Sequence, residues 1–534
     1  MVANTVSLRT TTRIYQARFN SADWSGSVVS FPVDPVTGAL KPVEWDVADI
    51  LKTQDYNTGR EIITWDQTAN SGAGAGVPFR WASLNVAQQL ALNTNPVTLA
   101  NDGLGSSRVD YLRGDASKEL KNSGTFRSRS TPLGDVVNST PTVVGAPLFG
   151  YPDSMETVPY STFAAAYDDV ECYLPNVAQI PANLRPVGDL EREPILYFGG
   201  NDGALHGVSA CSGEERIAYV PKSVYSQLGT LTSQDYQHRY FVDGPSTVVD
   251  AYWGGAWHTV LVGTLRGGGK GVFALDVTDP SKFDETYASQ LALWDIEATP
   301  ATAGSDFEEL GYTYSQPSVV KVDGLGWVAL FGNGYHGKSG KAILYVVRIN
   351  DGTLLQTIDL SATGPGSGSH GTGNGLSTVA PVDTDGDGDA DLVYGGDLNG
   401  NGSVTNRDIW PFVDMVQTGG QFDACAMWED MCYNQGPMIS PVHARRFLLP
   451  HYRRINELCV RHGVEAILLD SDGRIDELIR FIREDQAEQG ETPTLRRVAR
   501  VGGFNTKDLF QLFPKKPARK MSYVSGLPKP AGCI

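Results

Sequence analysis

Ile195-Leu196-Tyr197-Phe198-Gly199, Gly200-Asn201-Asp202-Gly203 and Ala204-Leu205-His206-Gly207-Val208 follow one another as an apolar run, a glycine-rich turn and a second apolar run. Apolar and aromatic residues closed off by Gly, Asn and Asp predict two antiparallel strands with a tight connection. The first strand returns as Val260-Leu261-Val262-Gly263, Val328-Ala329-Leu330-Phe331-Gly332 and Leu392-Val393-Tyr394-Gly395, its closing glycines 64, 69 and 63 residues apart. The second returns as Val272-Phe273-Ala274-Leu275-Asp276 and Ile343-Leu344-Tyr345-Val346-Val347. A third repeated strand lies upstream, in Pro141-Thr142-Val143-Val144, Ser246-Thr247-Val248-Val249 and Pro317-Ser318-Val319-Val320. One sheet of three or four strands cannot bury its own faces, so the spacing predicts propeller blades, each covered by its neighbours. The long period leaves room for insertions at 151–190 and 278–310, and Val28-Val29-Ser30-Phe31-Pro32-Val33-Asp34 resembles the second half of a further blade. The fold class expected is mainly β, a propeller followed by a smaller α-rich tail.

Composition fits that reading. In 534 residues, 59 Gly and 30 Pro with 41% apolar content describe a turn-rich globular chain and exclude disorder and collagen. The formal charge of −18 repels phosphate backbones, so no nucleic acid is expected as a partner. No run of about 18 apolar residues occurs, so no membrane span is expected, and Met1-Val2-Ala3-Asn4 does not open a secretory leader. Charge changes sign along the chain: after residue 440, 17 Lys and Arg face 11 Asp and Glu. The pattern there becomes helical, Arg445 through Tyr452, Ile455 and Leu458 returning at intervals of three and four, which puts a boundary between 400 and 440.

The strongest chemical signal is Asp383-Thr384-Asp385-Gly386-Asp387-Gly388-Asp389-Ala390-Asp391. Carboxylates at positions 1, 3, 5 and 9 with glycine at 6 match the first nine places of an EF-hand-like loop, and hard oxygen donors suit calcium. Alternate side chains converge on one point while the backbone wraps the ion, with the Asp389 carbonyl at position 7. Position 12 is Tyr394, so the loop lacks the bidentate glutamate and runs into a strand. Five aspartates in nine residues repel one another strongly without a cation. A second set follows, Asp397, Asn399, Asn401, Ser403 and Asp408 at positions 1, 3, 5, 7 and 12, leading into an expected helix over 409–416. Gly332-Asn333-Gly334-Tyr335-His336-Gly337-Lys338-Ser339 satisfies the Walker A spacing, but a strand rather than a helix follows it, so nucleotide binding is rejected. Arg113-Gly114-Asp115 spells an integrin-type tripeptide and reads as an ordinary turn. His206, His238, His258, His336 and His370 are scattered among the repeats as structural or surface residues, while Cys172 and Cys211 flank an insertion and pair if the chain is exported.

Phe19-Asn20-Ser21-Ala22-Asp23-Trp24-Ser25-Gly26, Asp110-Tyr111-Leu112-Arg113-Gly114-Asp115, Leu133-Gly134-Asp135-Val136-Val137-Asn138 and His238-Arg239-Tyr240-Phe241-Val242-Asp243-Gly244 resemble the carboxy-terminal propeller of the PilY/PilC family of type IV pilus proteins. The likeness covers about residues 10–400. It implies a modified quinoprotein-like β-propeller, non-enzymatic, at the bacterial surface or pilus tip. Its implied partners are the type IV pilus, through minor pilins, and host or surface ligands. It also implies a calcium loop, with Asp383, Asp385, Asp387 and Asp391 on its ligand positions. Four or five blades are expected, because the chain departs from the family at Asp397.

The remaining text resembles three other families. Residues 397–420 are similar to a dockerin calcium loop and helix. Residues 421–480, with Gly463-Val464-Glu465-Ala466-Ile467-Leu468-Leu469-Asp470, resemble a βα fragment of uroporphyrinogen decarboxylase. Residues 481–534 resemble the carboxy terminus of the sulfur-relay proteins DsrC and TusE, in which the penultimate cysteine, here Cys533, carries sulfur; Ser522 stands where a second cysteine would lie. Such a series reads equally as a natural fusion and as an assembled sequence. Calcium-dependent ordering of a blade is the function expected, with a quinoprotein-like dehydrogenase and a Cys533 sulfur carrier as rivals.

Overall fold

The computed structural model describes residues 13–34, 37–169, 190–298, 306–360, 375–382 and 390, together with strand backbones at 2–3 and 392–395 and in six short segments between 424 and 512. The chain forms two compact units, Met1–Ser403 and Val404–Cys533.

The first unit is a series of antiparallel sheets in chain order. The first sheet pairs Val2–Ala3, Arg13–Asn20, Ser25–Pro32 and Trp45–Asp46. The second contains Thr142–Val144, Ile195–Gly199, Leu205–Ser209 and Glu215–Val220. The third contains Thr247–Trp253, Ala256–Thr264, Gly271–Asp276 and Ala292–Glu297, and the fourth Ser318–Val322, Gly326–Gly332, Ile343–Arg348 and Leu354–Asp359. A fifth begins with Val379–Val382 and Leu392–Gly395. The three strands repeated in the sequence occupy the same places in the second, third and fourth sheets.

Side-chain alternation shows how the sheets stack. Leu196 and Phe198 pack with Tyr15, Val28 and Trp45 of the first sheet, whereas Ile195 and Tyr197 join the large core shared with the third. Likewise Ala329 and Phe331 face that core, while Val328 and Leu330 pack with Val379 of the fifth sheet. Successive residues point to opposite faces of a strand. Both faces are covered, so the strands read as unbroken apolar runs instead of alternating ones.

The closing glycines exist for close approach. A Cβ on Gly199 would lie 2.1 Å from the Val242 carbonyl oxygen, and one on Gly332 would lie 2.2 Å from that of Leu376. At both points the chain entering the next sheet crosses the strand end. The turn asparagine finishes the joint: Asn333 donates to the Glu309 and Lys341 carbonyls and accepts from Ile343 N and Leu376 N, so its amide is fully used. Gly332→Ala is expected to cost about 1–3 kcal/mol by overpacking, read as a lower urea midpoint.

Two features depart from the expected blades. The stretch 278–310, expected as an insertion, supplies Ala292–Glu297, the outer strand of the third sheet. The second sheet gains a hairpin from far upstream: Ile62–Asp66 lies parallel to Glu215–Val220, with Ala75–Pro78 beyond it. Ile62-Ile63-Thr64-Trp65-Asp66 is buried throughout, which makes it an interior strand covering what would be an open edge.

In the second unit, Ala424–Trp428 and Ala466–Asp470 pair in parallel, and Lys507–Leu512 joins Ala466–Asp470 to Leu495–Val501. The helical pattern expected over 445–458 and the helix expected over 409–416 lie outside the described residues. Among the described residues no helix is long and apolar enough to cross a membrane.

Candidate functional site

Val379–Val382 and Leu392–Gly395 run antiparallel, with Val382 opposite Leu392. The nine residues 383–391 therefore bridge the end of a hairpin, where connections of two to five are usual. A loop of that length needs order from outside the ladder, and its donors are all oxygens, a set that fits a hard cation. The Ala390 N–H, inside the loop, donates to the Lys321 carbonyl of the fourth sheet at 2.8 Å. Asp383, Asp385, Asp387, Asp389 and Asp391 themselves lie outside the described residues, as do Asp397, Asn399, Asn401, Ser403 and Asp408. Among the described residues no group of three or more His, Cys, Asp or Glu side chains is placed to hold a metal.

The Walker-like stretch does not form a phosphate cradle. Lys338 pairs with Glu308 at 2.7 Å, Asn333 is committed to backbone partners, and Ile343–Arg348 follows as a strand.

The integrin-type tripeptide is also structural. Arg113 closes the helix Gly105–Arg113 and is only 1% exposed. Its guanidinium donates to Glu285 Oε1 at 2.8 Å and to the carbonyls of Phe79, Arg60 and Tyr56 at 3.1, 2.8 and 3.1 Å. Gly114 follows at φ 127°, a conformation suited to glycine at a helix end. Asp115 accepts from the Ser117 N–H at 2.8 Å. The sequence marked the turn correctly but gave no sign that the arginine points inward.

A buried charge network lies under the second sheet. His206 Nδ1 is 2.7 Å from Glu215 Oε1, and its Nε2 is 3.1 Å from both Asp202 oxygens. Arg60 binds Glu215 through Nε at 2.5 Å and Nη2 at 2.8 Å. Burial pulls the imidazole toward neutrality, but the Asp202 charge and hydrogen bonds to Asp202 and Glu215 outweigh it and raise its pKa to about 9. Glu215 is pushed up by burial and more strongly down by Arg60 and His206, to about 2. Doubly paired, His206 has no free nitrogen for a ligand and serves the fold. Cys211 is disulfide-bonded, and Cys172, its expected partner, lies outside the described residues.

Comparison with known proteins assigns the fold. Residues 133–405 match the family model of the PilY1 β-propeller domain, and residues 464–534 match that of DsrC-like proteins. The type IV pilus biogenesis factor PilY1 of Pseudomonas aeruginosa strain PAK is 36% identical over 399 residues, 72% of this chain and 30% of that protein. The chain thus spans about a third of the length of such relatives. The crystal structure of the Pseudomonas aeruginosa PilY1 C-terminal domain is 32% identical, covering 48% of this chain and 43% of that one, at a TM-score of 0.35. For the tail, the gamma subunit of dissimilatory-type sulfite reductase from Nitratidesulfovibrio vulgaris is 33% identical over 72 residues, 14% of this chain and 65% of that protein. The family model spans the second to fifth sheets and half of the chain, and the chain belongs to the PilY1 β-propeller family.

Proposed function

We propose that this chain is a type IV pilus biogenesis propeller acting at the cell surface or pilus tip, in which the loop Asp383–Asp391 binds calcium. The observation that carries the reading is the nine-residue, oxygen-rich connection set on a two-stranded anchor in a PilY1-family propeller. Asp383, Asp385, Asp387 and Asp391 would hold the ion through side chains and Asp389 through its carbonyl. Calcium would offset the mutual repulsion of five carboxylates and let the loop settle against the fourth sheet. Minor pilins and a host or surface ligand are the partners proposed. The disulfide at Cys211 supports export to an oxidising compartment.

Calorimetry on the full chain tests this. Asp383→Ala is expected to weaken calcium binding at least tenfold, and Asp397→Ala reports separately on the second loop. Unchanged affinity in the Asp383→Ala, Asp397→Ala double variant would reject both loops. A second reading rests on the DsrC-like match at 464–534: Cys533 carries a persulfide as a single thiol. Mass spectrometry of the terminal peptide after incubation with a persulfide donor, which hands its outer sulfur to the Cys533 thiolate and leaves as a thiol, should then show one added sulfur, lost in Cys533→Ser.

A further inference from the structure

A cleft of about 420 Å³ opens at the end of the third sheet, bordered by the helical turn Tyr225–Leu228 and by the stretch that leads into the fourth sheet. Leu310 and Tyr312 give it an apolar wall, and Gln227, Lys270 and Glu297 line it with polar groups. Its volume lies in the range of sites that hold small organic ligands.

The ladder of the third sheet sets where the charges stand. Gly271 pairs with Glu297, and one step further the Ala298 N–H donates to the Lys270 carbonyl at 3.0 Å. Successive residues leave opposite faces, so Lys270 and Glu297 start from opposite sides of the sheet's end. Glycine at 271 leaves the room beside Glu297, since a Cβ there would lie 2.3 Å from Ser223 Oγ.

Most charges around the cleft are already used. Lys338 pairs with Glu308 at 2.7 Å, and Lys222, whose charge reaches Glu297, donates to Gln67 Oε1 at 2.9 Å instead. Among the described residues neither Lys270 nor Glu297 has an ion-pair partner, and the Gln227 side-chain amide makes no hydrogen bond. Lys270 spends one of its three donors on the His336 carbonyl at 2.6 Å, with its Nζ 5.6 Å from the Tyr312 ring.

We infer that this cleft binds a short peptide with free ends, its ammonium on Glu297, its carboxylate on Lys270 and a peptide group on the Gln227 amide. Opposite charges that flank one cleft without meeting fit a ligand carrying both signs at separate ends. Leu310 and Tyr312 receive its apolar side chains. The aspartate loop takes no part, so the inference stands independently of the calcium reading.

Saturation-transfer NMR titrations on the full chain test it with three probes: trialanine, its N-acetyl form and its C-terminal amide. Trialanine should bind with a Kd of about a millimolar or less, and blocking either end should weaken binding about fivefold. In Glu297→Gln the acetyl group should cost nothing further while the terminal amide still does, and Lys270→Met should show the reverse. The three probes on the parent chain decide the matter even where a variant fails to fold. No binding of trialanine, equal binding of the three peptides, or an acetylation penalty that survives in folded Glu297→Gln would each overturn the inference.

Discussion

Replacing Arg113 by alanine is expected to lower the unfolding free energy by about 3–5 kcal/mol, while Asp115→Ala changes it by less than about 1 kcal/mol. The asymmetry comes from what each side chain leaves behind. Without the guanidinium, the Phe79, Arg60 and Tyr56 carbonyls and one Glu285 oxygen lose their donor inside the core. Arg80 still reaches Glu285, and the Ile62 N–H still donates to it at 3.2 Å, but neither covers the vacated carbonyls. Asp115 loses only local bonds to Ser117. Urea unfolding of both variants is the measurement. Equal losses would mean that the arginine is not the buried anchor of this corner. Displaying the tripeptide to a receptor would require pulling the arginine out of these contacts, at a comparable cost.

The second large effect concerns Glu215. Glu215→Gln should cost about 3–5 kcal/mol, because Arg60, 3% exposed, then stays charged without its carboxylate. The same network makes stability depend on pH in a definite direction. His206 is raised to about 9 from an ordinary 6.5, so its contribution is complete below 6.5 and fades as pH climbs through 9. Glu215 is lowered to about 2 from 4.5, so its contribution is complete above 4.5 and is lost as pH falls toward 2. Both terms are present together between about 4.5 and 6.5. Unfolding free energies from urea titrations between pH 5 and 9.5 should decline by an amount on the order of 2–3 kcal/mol in the parent chain, and His206→Gln should flatten that decline. Parallel curves would show that the imidazole is not charged in the folded state.

Much of the fold was legible because the sheets are covered on both sides, which turns Ile195–Gly199 and Val260–Gly263 into unbroken apolar text ending at a forced glycine. The aspartate loop stands out in the sequence for a similar reason, since alternate oxygen donors leave a periodic trace, but its carboxylates lie outside the described residues. Other features leave none. The parallel pairing of Ile62–Asp66 with Glu215–Val220, and the ion pair of Arg60 with Glu215 across 155 residues, join segments that carry no shared pattern. Ala292–Glu297 was missed because Ala, Asp and Glu dilute its β-forming residues. Arg113-Gly114-Asp115 reads as an ordinary turn and is one, but nothing in the text shows that the last residue of the helix Gly105–Arg113 turns inward.

The early hairpin has a further bearing on how the protein comes into being. Thr64 meets Val220 only after 156 more residues have been synthesised, so one edge of the buried strand Ile62–Asp66, paired early only with Ala75–Pro78, waits for a partner that does not yet exist. Distant contacts of this sort slow folding and leave sticky intermediates. Production of the chain should therefore lean on holding factors during synthesis, and truncations ending before Val220 should accumulate as aggregates.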